Sequence, residues 1–170
     1  MNWFASHRAD RRALRLADAH YNRQKVGAPQ FVPPGRCVVL LTYRADALWV
    51  SSWPIARYVK HAWAGAWVCS CFRNESPRRA SDLIVQAVAA SRAVWGDPPA
   101  VASAAGPVAM VTFIDRAFVR PTRVRGRETW GWTYRRAGFV DIGETAGGLL
   151  ALGLPVDRVP SPRAALPRIV

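Results

Sequence analysis

The chain has 170 residues, 51% apolar and 21% charged, enough for the core of one domain and too apolar for a disordered chain. It carries 24 Lys and Arg against 11 Asp and Glu, a net charge of +13, and only Lys25 and Lys60 are lysines. No apolar run reaches the roughly 18 residues of a membrane span, the opening MNWFASHRADRR lacks the apolar stretch of a secretory signal, and three cysteines suit a reducing cytosol better than a disulfide framework. Arginine's rigid fork of donors fits phosphate, so this cation excess predicts a polyanionic partner, nucleic acid first.

Ala13, Leu16, Ala17, His20 and Tyr21 recur at helical spacing and predict an amphipathic helix over about 9–23, with His20 on its apolar stripe. A connection turning at Pro33-Pro34-Gly35 leads to the apolar run Cys37–Thr42. Arg44-Ala45-Asp46 then turns the chain, and Ala47–Ser51 returns as the second arm of an antiparallel hairpin. The aromatic and basic segment 54–65 predicts no element. Trp67–Phe72 is a third strand. Ser76 as cap and Pro77 at the first helical position predict a helix from Pro77 to Trp95, stopped by Gly96. Val108–Ile114 is a fourth strand ending in Asp115, and 116–127 is a basic excursion. A short helix over Thr129–Ala137 and strands at Phe139–Gly143 and Leu149–Leu154 follow. The prolines after residue 154 predict an extended tail over 155–170. The order predicts one α/β or α+β domain, residues 1–154, with mixed strand directions.

Chemistry concentrates at strand ends, where a rigid scaffold holds polar groups. Arg73, Asn74 and Glu75 form the densest polar cluster, directly after an apolar strand. Glu75 suits a general base, a base-edge acceptor or a salt-bridge partner. Asp115 ends the fourth strand. If the two strands are neighbours, Arg73, Glu75 and Asp115 converge; otherwise Asp115 is a turn residue. His20 is either a hydrogen-bonded core residue or a proton acceptor, and Tyr21 beside it also exchanges protons. The helix start at Ser76, with Arg78 and Arg79, suits an anionic group. Cys69 and Cys71, two apart on a strand, are expected on one face as small buried hydrophobes. Trp53, Trp63, Trp130 and Trp132 suit either packing or stacking on extruded bases.

The order His20-Tyr21, Pro33-Pro34-Gly35-Arg36, Phe72-Arg73-Asn74-Glu75-Ser76, Ser81-Asp82-Leu83-Ile84, Trp95-Gly96 and Thr112-Phe113-Ile114-Asp115 resembles the Mom family of phage DNA-modification proteins. Tyr134-Arg135-Arg136-Ala137-Gly138-Phe139 is similar to the Tyr-containing end segment of the GNAT-type N-acetyltransferase fold. The resemblance covers about residues 10–145. It implies a GNAT-like, mostly antiparallel central sheet flanked by helices. It also implies an enzyme that converts adenine N6 in phage DNA to a carbamoylmethyl-type adduct, shielding it from restriction in the cytoplasm of the infected bacterium. The implied catalytic residues are His20, Tyr21, Arg73, Asn74, Glu75, Asp115 and Tyr134, with Tyr134 at the place of the acetyltransferases' general acid. Ser76, Arg78 and Arg79 are expected on the donor, and Arg57, Arg116, Arg120, Arg123, Arg125 and Trp132 on double-stranded DNA. Where acetyltransferases carry a Gly-containing pyrophosphate loop, residues 73–80 hold no glycine and Pro77 lacks an N–H. The small-molecule donor thus stays open between acetyl-coenzyme A and another compound, and no metal is specified. The alternatives are an ordinary acetyl-coenzyme A-dependent N-acetyltransferase and a non-catalytic nucleic-acid-binding protein.

Overall fold

Strands that are apolar at nearly every position, as Cys37–Thr42 and Ala47–Ser52 are, need cover on both faces. The computed structural model, which describes residues 2–165, supplies it. The strands are β1 (Trp3–Ser6), β2 (Cys37–Thr42), β3 (Ala47–Ser52), β4 (Trp67–Asn74), β5 (Val108–Ile114), β6 (Thr122–Val124), β7 (Arg127–Thr129), β8 (Val140–Glu144) and β9 (Leu150–Pro155). Seven of them form one mixed, mostly antiparallel sheet in the order β1-β2-β3-β4-β5-β9-β8, and β6 and β7 form a separate ribbon. This is the mixed α+β architecture expected, and β4 and β5 are parallel neighbours.

On one face lies helix α2 (Ala80–Trp95), whose Leu83, Ile84, Ala87 and Val88 pack with Trp3, Trp49, Trp67, Met110 and Leu154. On the other, helix α1 (Arg11–Asp18) sets Ala13, Leu16 and Ala17 against Val39, Leu41, Leu48 and Val50. Trp63 and Ala66 close that face over Val108, Val111 and Ala151. Trp53 meets Trp67 and Trp95, so Trp53 and Trp63 are packing residues. The short helix α3 (Trp132–Arg136) follows the ribbon. Among the described residues no helix is long and apolar enough to cross a membrane.

Several elements differ from the sequence expectation: β4 runs on through Arg73 and Asn74, α3 is shorter than 129–137, the basic excursion pairs as β6 and β7, and four further differences have a visible reason. Helix α1 runs only from Arg11 to Asp18, capped by Asp10, whose carboxylate accepts from the Arg12 N–H at 2.9 Å. The Arg73 guanidinium takes the Ala19 carbonyl at 3.0 Å and Arg23 closes on Asp18 at 2.7 Å, winding 19–23 into a turn. His20 and Tyr21 therefore sit on that turn and not on a helical stripe. Helix α2 begins at Ala80, not Pro77, because the Asn74 side chain takes both the Ser76 N–H (3.0 Å) and the Ser76 hydroxyl (2.6 Å). Ser76 is thus part of an Asn-centred turn and caps nothing. Strand β1, which no period-2 pattern announced, pairs with β2. In place of an extended tail, Val156–Arg158 and Pro162–Ala165 form 3-10 turns that return over α2 and bury Val159 and Ala165. The rest of that expected tail, 166–170, lies outside the described residues.

Candidate active site between strands β4 and β5

The site begins with one extra residue. Val50 of β3 pairs with Cys71 but Ser51 pairs with Cys69, so Ser70 is an unmatched bulge in β4. A bulge bends its strand and raises its twist. On the other side, β4 and β5 pair at Trp67–Met110, Val68–Val111 and Cys69–Thr112, and no further. Beyond that rung the two strands part. The bulge also shifts side-chain parity. Cys69 joins the core under α2, while Cys71 packs with the cluster under α1. The expected shared face for Cys69 and Cys71 is therefore wrong. Burial pushes both thiols up to about 12, so neither is a thiolate nucleophile.

The opening is a cavity of about 210 Å³ lined by His20, Tyr21, Cys69, Ser70, Cys71, Phe72, Thr112, Phe113, Arg120, Trp132 and Tyr134, among others. That is below the roughly 300–1,000 Å³ of pockets that enclose whole small molecules, so it admits a ring or an acyl group while the remainder of a ligand stays outside. Past Ser70 the surface continues into two cavities of about 500 Å³ each, which share Val32, Pro33 and Pro34.

His20 is oriented by a residue that sequence reasoning missed. The Asn22 side-chain amide donates to the Ser70 carbonyl at 2.5 Å, which turns its oxygen toward the imidazole. The Nδ1–H of His20 donates to that oxygen, also at 2.5 Å. Nε2 is then left with its lone pair. Burial, opposed by the Asn22 hydrogen bond and helped by the nearby Arg73 charge, holds His20 below its usual pKa, which favours the neutral imidazole at pH 7. The Tyr21 ring stacks on the imidazole with centroids 4.6 Å apart, and its hydroxyl donates to the Phe113 carbonyl at 2.9 Å. Across the cavity, the Tyr134 hydroxyl lies 3.5 Å from Cys69 Sγ. Burial raises Tyr134 well above the usual phenol pKa, so it keeps its proton. Phe72 and Phe139 hold the Tyr134 ring edge-on. A neutral imidazole and a protonated phenol thus line one small cavity, one able to accept a proton and the other to donate a hydrogen bond.

The other expected catalytic residues fall outside this lining. Arg73 donates to Glu75 at 2.8 Å as well as to Ala19, and Arg15 bonds the second Glu75 oxygen. These hydrogen bonds, Arg15's first, lower the Glu75 pKa and make it a weak base. The trio straps the end of α1 to β4. Asn74 organises the β4–α2 connection, where its amide also donates to the Arg78 carbonyl at 2.9 Å. Asp115 shapes the turn after β5, its carboxylate accepting from the Ala117 N–H at 2.9 Å. Because β4 and β5 part after Cys69, Arg73, Glu75 and Asp115 do not join one lining. Of the expected DNA contacts, Arg120 and Trp132 line the cavity. Arg116 pairs with Glu144 at 2.7 Å, Arg57 lies 4.8 Å over the Tyr58 ring, and Arg123 and Arg125 belong to the β6–β7 ribbon.

The β4–α2 connection tests the fit of a coenzyme A pyrophosphate. From Glu75 to Arg78 its backbone donors are used internally: Glu75 N–H to the Asp46 carbonyl, Ser76 N–H to Asn74 and Arg78 N–H to the Ser76 hydroxyl, with Pro77 having none, while the N–H groups of Arg79, Ala80 and Ser81 at the start of α2 bond no acceptor among the described residues. Ser76 and Arg78 therefore add nothing to a backbone cradle, and a pyrophosphate would meet only the first N–H groups of α2, beginning at Arg79, without the glycine that lets backbone approach closely. Among the described residues no three His, Cys, Asp or Glu side chains gather at a point that would hold a metal. Compared with protein-family profiles, curated proteins and solved structures, the chain finds no match.

Proposed function

We propose that the protein is a DNA-modifying transferase of the Mom type, acting on the N6 amine of an adenine turned out of the duplex. One observation carries the reading. A cavity sized for a base or an acyl group opens between His20, neutral with Nε2 free, and Tyr134, protonated, in a chain of net charge +13. The amine of adenine is a weak nucleophile and must lose a proton as its new bond to the donor's carbon forms. Nε2 of His20 accepts that proton, and the Tyr134 hydroxyl supplies one to the departing group. Arg120 at the cavity and the arginines of the β6–β7 ribbon hold the phosphates on either side. The donors spent between Glu75 and Arg78, and the absence of glycine over 73–80, weigh against the ordinary acetyl-coenzyme A reading, and no step here is routed through that cofactor. With this substrate the protein would work in the cytoplasm of an infected bacterium.

Nucleoside mass spectrometry on plasmid DNA from cells expressing the protein tests the reading. A deoxyadenosine heavier by a carbamoylmethyl-type group is expected. Unmodified deoxyadenosine alongside abundant soluble protein would overturn it.

A further inference from the structure

Phe118 is one of the most exposed apolar side chains of the molecule, 71% accessible, and no packing role explains it. It lies on the turn that Asp115 builds, where the Asp115 carbonyl accepts from the Phe118 N–H at 3.2 Å and the Val119 N–H at 2.9 Å. Its ring runs within 6° of parallel to that of Tyr21, centroids 6.3 Å apart. Tyr21 is itself 39% exposed, is pinned through its hydroxyl to Phe113, and is backed by His20. The result is a ledge of three rings, His20, Tyr21 and Phe118, running from the cavity outward.

From this ledge we infer a nucleobase platform: Tyr21 and Phe118 together receive the flat face of the extruded purine at the mouth of the cavity. The inference deepens the DNA-modification reading and rests on it. Every base has a π-face, so parallel aromatic rings recognise a base whatever its sequence context. The surroundings favour this occupant over an apolar protein surface. Arg116 and Arg120 lie two residues to either side of Phe118; Arg116 is paired with Glu144, and Arg120, at the cavity, is the cation suited to the phosphate beside a stacked base. The Tyr21 hydroxyl bond keeps one wall still. Phe118, free at the surface, can adjust to the thickness of a ring. Asp115, expected among the catalytic residues, then acts as a positioning residue that sets the Phe118 turn.

A single-stranded oligodeoxynucleotide carrying one 2-aminopurine among adenines reports stacking by loss of its fluorescence. The full-length protein should quench it. Phe118→Leu, which keeps the apolar bulk but loses the ring, should abolish most quenching and weaken binding roughly tenfold or more. Phe118→Trp should restore both. Phe118 touches no core cluster, so unchanged thermal melting is expected and separates these effects from misfolding. Quenching by Phe118→Leu equal to that of the unsubstituted chain, or no quenching by the unsubstituted chain, overturns the platform. If adenine is modified in cells and Phe118→Leu changes neither quenching nor yield, the platform falls and the enzymatic reading stands. If quenching depends on the ring but cellular DNA carries only ordinary deoxyadenosine, the platform stands and the enzymatic reading falls.

Discussion

A neutral imidazole accepts a proton only through the nitrogen its neighbours leave bare, and Asn22 makes that choice for His20. Replacing Asn22 with Asp sets a carboxylate beside Nδ1, which favours the imidazolium. The rising limb of kcat/KM against pH should therefore move to higher pH in Asn22→Asp, whereas in the unsubstituted chain it lies below about 6.5. The same depressed pKa acts on stability. Near and below about pH 6.5 the unfolded state binds a proton at His20 that the folded state refuses, so this group's contribution falls as pH falls. Glu75 provides the contrasting case. A carboxylate held by Arg15 and Arg73 is strapping, not a base. Glu75→Gln should lower DNA-modification activity by less than about tenfold, while His20→Gln should lower it by roughly 10²–10⁴. Single-turnover rates would decide between them, and the reverse order would make Glu75 the base.

At the scale of elements, the β6–β7 ribbon joins its strands through Arg125 and Gly126, with φ of 48° and 79°. Positive φ at both loop positions marks a type I′ turn, the geometry that matches the twist of the flanking strands. Such a ribbon is narrow enough for the major groove of DNA, and it carries Arg123, Arg125 and Arg127 against Glu128. Replacing the three arginines with Ala should weaken DNA binding and flatten the plot of log affinity against log salt by up to about 0.9 for each arginine removed. Fluorescence anisotropy across a salt series measures this. An unchanged slope would place the ribbon away from phosphate. Gly131, which opens α3 at a φ of 67°, shows how tightly the cavity wall is set. A Cβ there would run into the side chains of Ile114 and Leu152.

Across the whole molecule, charge is unevenly spread. Between Asp18 and Asp46, and again between Asp46 and Glu75, the chain has no acidic residue, yet it carries Arg23, Lys25, Arg36, Arg44, Arg57, Lys60 and Arg73. Of these cations Arg23, Lys25 and Arg36 line the larger cavities beyond Ser70, where Arg23 is paired with Asp18. The C-terminal return is a second global feature. Arg92 donates to the carbonyls of Val159 and Pro160 at 3.3 and 3.4 Å, and Val159 and Ala165 complete the core over α2. Ending the chain after Pro155 should lower Tm by roughly 5–10 °C, from about 2–3 kcal/mol of lost burial. An extended, undocked tail would leave Tm unchanged in a calorimetric scan.

The amino-acid sequence alone determined the runs that form β2–β5, β8 and β9, the hairpin from Cys37 to Ser52, helix α2 over most of its length and the cationic character, because each depends on neighbours a few residues apart, while β1 and the β6–β7 ribbon carry no such pattern. It also singled out His20 and Tyr21, whose chemistry is a property of the side chain, and Tyr134 through the resemblance of its segment to the acetyltransferase fold. Only the tertiary structure decided which of the expected residues meet. The Ser70 bulge leaves no local signal, since it exists only as a mismatch between two strands, yet it reverses the faces of Cys69 and Cys71 and parts β4 from β5. From that parting follow the cavity, the exclusion of Glu75 and Asp115 from its lining, and the roles of Asn22 and Phe118. Register is a relation between strands far apart in sequence, so no single strand's composition encodes it.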